Sequence, residues 1–396
     1  MTDLRPQAFQ APPQVDSLMR TAGIVGIAGI VLSIVGALGN PEQFYRSYLV
    51  AFMFVLGPAL GSLGLMMVHF MSGGAWGIGV RRLFEAASRT LPLLALLFIP
   101  IAIGMPHLYE WTHLDIVAKD PILQHKAPYL NTTFFLIRAV FYFAVWSGLA
   151  LVLTGWSKAQ DAKPTTEADG KFQTVSAPGI LLYAFTITFA SFDWVMSLDP
   201  HWYSTVFGLL VMVGQGLSAL AFTVTMGFYL SRTTALEQIL TPSKFHDYGK
   251  LLFAFTMLWA YLSFSQWLII WSANLPEEIP WYLRRLSNGW GTISLLLAFG
   301  QFVFPFLMLL SANLKRQSSR LAIMGMFVLA MRYVDLYWLV MPQFTEGHFA
   351  FHWLDITTVA GLFGVWLAAY CWNLKGRALL PLGDPYLEEA LADGHH

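Results

Sequence analysis

The 396-residue chain is 56% apolar and only 12% charged, and its 23 basic and 23 acidic residues give a formal net charge of zero. A water-soluble globule of this size could not hide so much apolar surface, which excludes a soluble enzyme. The neutral balance argues against nucleic acid as a partner, and the single cysteine, Cys371, excludes a disulfide framework, a four-cysteine zinc site and a self-supplied iron–sulfur cluster.

The amino-terminal stretch MTDLRPQAFQAPPQVDSLMR is polar and carries prolines, so a cleavable signal peptide is not expected. A bilayer core about 30 Å thick requires roughly 20 apolar residues in helical form. Windows of that size predict ten spans, at 19–38, 47–71, 90–109, 132–155, 177–198, 204–230, 250–272, 291–313, 319–341 and 353–374. The apolar runs are continuous rather than alternating, so they read as helices and not as barrel strands. The expected fold is therefore an all-α membrane protein, a single integral membrane domain over 1–396. The third span is rich in proline, and the junction between the fifth and sixth is only a few residues long. The polar segment 156–176, SKAQDAKPTTEADGKFQTVSA, reads as a flexible cytoplasmic linker.

Charge orients the spans. The amino terminus, the even-to-odd loops and the carboxyl terminus carry 16 Lys and Arg, including Arg81, Arg82, Arg89, Lys158, Lys163, Lys171, Lys315, Arg316 and Arg320. The opposite side carries 5, and Arg138 and Arg332 lie inside spans. The positive-inside rule then predicts cytoplasmic termini. Tyr109 and Trp111, Trp202 and Tyr203, Trp281 and Tyr282, and Tyr337 and Trp338 gather at the opposite ends, as expected of an interfacial aromatic belt.

Two halves of the chain read alike in parallel. The fifth span ends Asp193-Trp194-Val195-Met196-Ser197-Leu198-Asp199-Pro200 and the ninth Asp335-Leu336-Tyr337-Trp338-Leu339-Val340-Met341-Pro342, each an aspartate with a proline seven residues later. Gly57-Pro58-Ala59-Leu60-Gly61-Ser62 of the second span matches Gly214-Gln215-Gly216-Leu217-Ser218 of the sixth. Small residues of this kind let helices approach closely in lipid. Spans 2–5 (47–198) and 6–9 (204–341) are thus expected to form two parallel-repeated four-helix bundles, flanked by spans 1 and 10.

Ionisable groups inside a membrane are costly and face one another or a polar cavity. Arg138, Asp193, Arg332 and Asp335 are the four that stand out, and Arg332 and Asp335, three apart, can pair on one helix face. Asp199, His201, His352 and Asp355 extend the polar set towards the non-cytoplasmic surface, and Thr186, Thr188 and Ser191 precede Asp193. Two readings follow: ion pairs that lock the bundles, or a proton path or ligand-binding cavity opening outward, with Asp193, Asp335, Arg332, Arg138, Asp199, His201 and Asp355 as the candidate proton-transfer residues. None of the ten histidines sits at mid-span, so haem ligation by a histidine pair is not expected, and His395 and His396 are weak metal candidates. No phosphate-binding glycine loop is present.

Residues 191–208, SFDWVMSLDPHWYSTVFG, resemble a stretch of the NrfD-like (polysulfide-reductase-type) membrane subunits of bacterial alternative complex III, a quinol:cytochrome c (or other electron acceptor) oxidoreductase. The Asp-Pro-His-Trp-Tyr-Ser-Thr form is most similar to the ActF-type subunit, and ten spans with cytoplasmic termini fit it as well. The resemblance implies a respiratory electron-transport complex of the bacterial inner membrane. Its partners would be an ActC-type NrfD-like quinol-binding subunit, a periplasmic iron–sulfur subunit, multi-haem and mono-haem cytochrome c subunits, and a terminal oxidase. Haem c, iron–sulfur clusters and menaquinol or ubiquinol would then sit in those other subunits, with no cofactor bound by this chain. In the ActC-type subunit a histidine associated with quinol precedes the Ser-Phe-Asp segment; here Thr186 to Phe192 include none. The expected role is accordingly a non-catalytic one, a proton-transfer route and assembly scaffold. The alternatives are a quinol-binding subunit of the same complex and a free-standing secondary transporter, a class that also uses parallel repeats and intramembrane charge.

Overall fold

The computed structural model describes residues 10–162, 168–232, 234–345, 348–375 and 377–393. Among these, ten helices have the length and apolarity to cross a membrane, so the chain is an all-α, multi-pass membrane protein. They are α1 (Pro13–Gly39), α2 (Pro41–Ser72), α3 (Arg81–Ile103), α4 (Thr132–Asp161), α5 (Gly170–Leu198), α6 (Phe207–Ser231), α7 (Pro242–Ala273), α8 (Trp290–Leu310), α9 (Ser318–Gln343) and α10 (Trp353–Lys375). The described residues contain no strand, only an isolated bridge between Gln10 and Ala378. Lys163, His395 and His396 lie outside the described residues.

Local chemistry sets the helix starts. Asn40 caps α2 by accepting from the Gln43 amide, and Thr241 does the same for α7 through the Lys244 amide, each with a proline in the first turn. Two expectations need correction. Hydropathy starts the third span at 90, yet α3 begins at Arg81, because Glu85 and Asp384 answer Arg81 while Glu85 and Asp161 answer Arg82 inside the protein. Polarity marks 156–176 as a linker, but α4 runs to Asp161 and α5 starts at Gly170, so helix takes most of it.

α2 and α6 are the most enclosed spans and pack against each other. Around them the helices close into two rings of the same connectivity. In the first, α2, α3, α4 and α5 each touch the next and α5 returns to α2; in the second, α6, α7, α8 and α9 do likewise. The small-residue stretches singled out in the sequence form the contact between the rings. Gly57 faces Ser218, while Gly61 faces Gln215 and Ala219. The pairing is reciprocal, as in a two-fold contact. A Cβ on Gly61 would overlap the Gln215 carbonyl group, so the crossing tolerates no side chain there.

α10 packs on α2, and α1 packs on α10 through facing glycines: a Cβ on Gly29 would meet the Gly361 backbone at 2.5 Å, and one on Gly26 the Val365 amide at 2.6 Å. Lys375 pairs with Asp16, and the Tyr229 hydroxyl donates to the Gln14 carbonyl at 3.1 Å. The described ends of the chain therefore share one face of the molecule.

Gly61→Leu forces the two rings apart and should lower stability by about 1–3 kcal/mol, the usual penalty of overpacking. Gly148, where an added Cβ would have no atom within 4 Å, should accept Gly148→Ala without loss. Thermal unfolding of the two variants in detergent, followed by tryptophan fluorescence, checks the contrast.

Candidate functional site

α4 presents Arg138, Tyr142 and Trp146 at four-residue spacing, and α5 presents Asp193 and Thr186 seven apart, so both sets face inward. They meet as a hydrogen-bonded column. Arg138 grips Asp193 with two bonds, Nε to Oδ2 at 2.8 Å and Nη2 to Oδ1 at 2.9 Å. The Tyr142 hydroxyl donates to Oδ2 at 2.8 Å, and Trp146 Nε1 donates to the Thr186 hydroxyl at 2.8 Å. The guanidinium also donates to the Tyr129 carbonyl at 3.0 Å and lies over the Tyr129 and Phe134 rings. Asp193 is 0% exposed, so its charge is answered entirely by protein.

Asp335 occupies the matching place in the second ring with different partners. Its Oδ2 accepts from Arg332 of the same helix, as the three-residue spacing predicts, and from Trp259 Nε1 of α7 at 3.2 Å. Gly214 makes room for that arginine, since a Cβ there would overlap the guanidinium. Asp199 pairs with Arg284, which also bonds Gln343. His201 Nε2 lies 2.6 Å from Asp120, whose other oxygen caps the short helix Pro121–Lys126. That hydrogen bond from His201, with the two capping amides, holds the Asp120 carboxyl below its usual range despite some desolvation. Lys126 donates to the Pro200 carbonyl at 2.6 Å; burial lowers its pKa and Asp199 opposes the shift.

Asp355 differs from the others. It accepts from the Ser47 hydroxyl at 2.5 Å, the Gln43 amide at 3.2 Å, the Tyr337 hydroxyl at 3.1 Å and the His352 backbone N–H at 2.8 Å. All four donors are uncharged, although the residue is 1% exposed. The structure thus places the sequence-derived set on the face opposite the described termini. It does not join that set into one network: Asp193 and Asp335 each keep their own arginine.

Three features are not visible from sequence. Arg81, Arg82 and Arg377 converge on Glu85 at the termini face, with Ser157 bonded to both Arg81 and Arg82 and to the carboxylate. Charge counting places Arg81 and Arg82 in a loop and Arg377 in the carboxyl-terminal segment. Arg285 is buried with its guanidinium bonded to the Trp281, Trp338 and Leu339 carbonyls and stacked 3.4 Å over the Trp281 ring. Burial, with Arg284 beside it, pulls its pKa well below the usual arginine value against the opposing pull of Asp199. The aromatic belt is also mostly internal: Tyr109, Trp111, Trp202, Trp281, Tyr282 and Tyr337 are buried, whereas Tyr203 is 56% exposed. Trp202 stacks on Trp281 at 4.3 Å, and Trp281 meets Tyr282 and Trp338 edge to face.

No protein-family model matches the chain, and no curated protein sequence shows a significant match to it. The fold and the site define a class: a multi-pass helical membrane protein whose two rings each bury an aspartate–arginine pair on the same face.

Asp193→Asn leaves the Arg138 charge buried without a counter-ion and should lower stability by about 3–5 kcal/mol. Arg138→Met combined with Asp193→Leu removes both charges and should recover most of that loss, as unfolding of purified single and double variants in detergent will register.

Proposed function

We propose that this chain is a non-catalytic membrane subunit of a quinol-oxidising electron-transport complex in the bacterial inner membrane, supplying a proton-transfer route and a scaffold. The observation that supports the reading most directly is a polar stripe along the inner face of α5. Ser176, Tyr183, Thr186 and Asp193 are all buried there. The segment from Tyr183 to Asp193 alone covers about 15 Å of helix. At one end stands the Asp193–Arg138–Tyr142 cluster, and beyond the other lie His69 of α2 and the Glu85 cluster. Between them the Tyr183 hydroxyl donates to Gln215 of α6 at 3.1 Å.

The atoms along this stripe that lack a protein partner strengthen the reading. Gln215 Nε2, Ser62 Oγ, Ser176 Oγ and His69 Nδ1 are buried without one among the described residues. Buried polar atoms of this kind are the groups that hold internal water, and a line of hydroxyls and waters carries protons by exchanging hydrogen bonds. On the far face, Asp355 continues the polar set with four uncharged donors, so its hydrogen bonds involve no arginine, unlike those of Asp193 and Asp335.

The partners in this reading are those of the resembled complex: an ActC-type quinol-binding membrane subunit, iron–sulfur and haem c subunits, and a terminal oxidase. Its orientation, with both termini cytoplasmic, rests on the 16-to-5 charge asymmetry.

Orientation is checked by impermeant maleimide on intact cells, where Cys371 is buried. The exposed Lys119→Cys should react at once and Lys158→Cys only after permeabilisation; the reverse pattern overturns the topology. Function is checked by purifying the tagged full chain from its native membranes. Haem c and iron should accompany it, and Tyr183→Phe should lower coupled proton translocation several-fold while electron transfer persists. A chain that elutes alone, with neither haem nor iron, overturns the assignment to the complex.

A further inference from the structure

Where α3 and α10 meet at the termini face, a shallow notch is lined by Arg82, Glu85 and Arg89 of α3 and by Asn373, Arg377 and Ala378 at and beyond the end of α10. The charges around it do not balance. Arg81, Arg82 and Arg377 are met by Glu85, Asp161 and Asp384, three cations against three carboxylates. Arg89 is left over. It forms no ion pair among the described residues, and its one hydrogen bond there goes to the Thr154 hydroxyl at a long 3.4 Å. Arg377 reaches the same residue of α4: its Nη1 donates to the Thr154 carbonyl at 3.1 Å and to Glu85 at 3.0 Å, which leaves Nε and Nη2 to donate elsewhere. Two guanidinium groups thus converge on Thr154. Burial lowers the Arg377 pKa, and Arg89 and Arg82 beside it deepen the fall against the pull of Glu85 and Asp161.

The surplus cation stands at the border of the hydrocarbon. The apolar window of the third span opens at 90, directly after Arg89. Leu96 and Ile103, seven and fourteen residues further along α3, lie on the Arg89 side of the helix and are exposed on the surface that lipid covers. Trp372, next to Asn373 in α10, is exposed at the same level, where amphipathic rings meet headgroups. A ligand that fits must bring one net negative charge, acceptor oxygens at the depth of Arg89, and hydrocarbon for the face below it. Free phosphate lacks the hydrocarbon. A zwitterionic headgroup adds a cation where one is already in excess. A phosphodiester without such a cation offers two non-bridging oxygens, one for each arginine, and arginine–phosphate contacts are among the strong hydrogen bonds.

We propose that Arg89 and Arg377 bind the phosphate of an anionic phospholipid of the phosphatidylglycerol type. Its headgroup covers the notch and an acyl chain runs down the face marked by Leu96 and Ile103. Basic pockets between spans at the cytoplasmic surface recognise headgroups of this charge. The lipid supplies the fourth anion to a cluster of four arginines and three carboxylates, and so closes the joint between α3, α4 and the segment after α10. The site depends neither on the complex proposed above nor on the polar stripe of α5.

The test is native mass spectrometry of the full chain, delipidated in detergent and titrated with palmitoyl-oleoyl phosphatidylglycerol, the matching phosphatidylcholine, or inorganic phosphate. The adduct mass identifies what binds. One phosphatidylglycerol should bind saturably, with phosphatidylcholine weaker and phosphate absent. Arg89→Gln should weaken phosphatidylglycerol by about five-fold or more. Ala378→Asp, on the wall of the notch, supplies the missing anion from the protein and should weaken it as well, which keeps the test open if the first variant does not fold. Arg316→Gln removes an exposed cation on the same face of the second ring and should leave binding unchanged. Equal binding of the two lipids, wild-type affinity in both notch variants, or an equal loss in Arg316→Gln overturns the proposal. So does a phosphate adduct that excludes the lipid, since the site then serves a soluble anion.

Discussion

Charge inside hydrocarbon organises this molecule. An isolated guanidinium or carboxylate taken out of water loses several kcal/mol of solvation, and only a close, well-hydrogen-bonded partner returns most of it. Asp193 meets that condition with two bonds from Arg138 and one from Tyr142, which fixes the rotation of α4 against α5. Asp335 meets it through its own helix and Trp259, leaving α8 free of the constraint. Glu85 does so with three arginines from α3 and the segment after α10, which ties the carboxyl-terminal region to the first ring. Helix packing between these points is left to small residues and aromatic rings, because lipid provides no hydrophobic drive for helix association.

The two rings share their connectivity and the aspartate near the end of their fourth helix, and they part at the arginine. In the first the cation comes from the neighbouring helix α4 and the interior closes around it. In the second it comes from one turn away, and the space opposite stays open as a cavity of about 740 Å³ between α7 and α8. One duplicated frame thus yields a sealed polar core on one side and a lipid-facing pocket on the other. This difference is a matter of one basic residue on α4 with no counterpart on α8.

Much of this was legible in the sequence because hydrocarbon thickness is a strict ruler. Runs of about 20 apolar residues located all ten helices, and the rarity of charge within them singled out Arg138, Asp193, Arg332 and Asp335. The Arg332–Asp335 contact followed from spacing within one helix. The choice of Asp193 for Arg138 did not, since it depends on how α4 and α5 are rotated. The Glu85 cluster was hidden for a related reason: Arg81 and Arg82 look like loop cations until partners far along the chain are known to bury them. The tryptophans misled in the same direction. Composition cannot distinguish a ring that faces a headgroup from one that faces another ring, and Trp202 and Trp281 chose each other. The cavity left only a faint trace, a proline at 305 beside an uncharged helix.

The glycine contact between α1 and α10 bears on how the protein is made. Gly29 and Gly361 touch backbone to backbone, yet more than three hundred residues separate them. At ordinary synthesis rates the ribosome needs on the order of half a minute to traverse that interval. Throughout it, α1 has no permanent neighbour on its glycine face. That helix must be apolar enough to remain in the bilayer unaided, and its exposed run of Ile24, Ile27, Val31, Ile34 and Leu38 meets the requirement. Once inserted, α10 then docks α1, so this clasp closes only after the eight spans between them have been made.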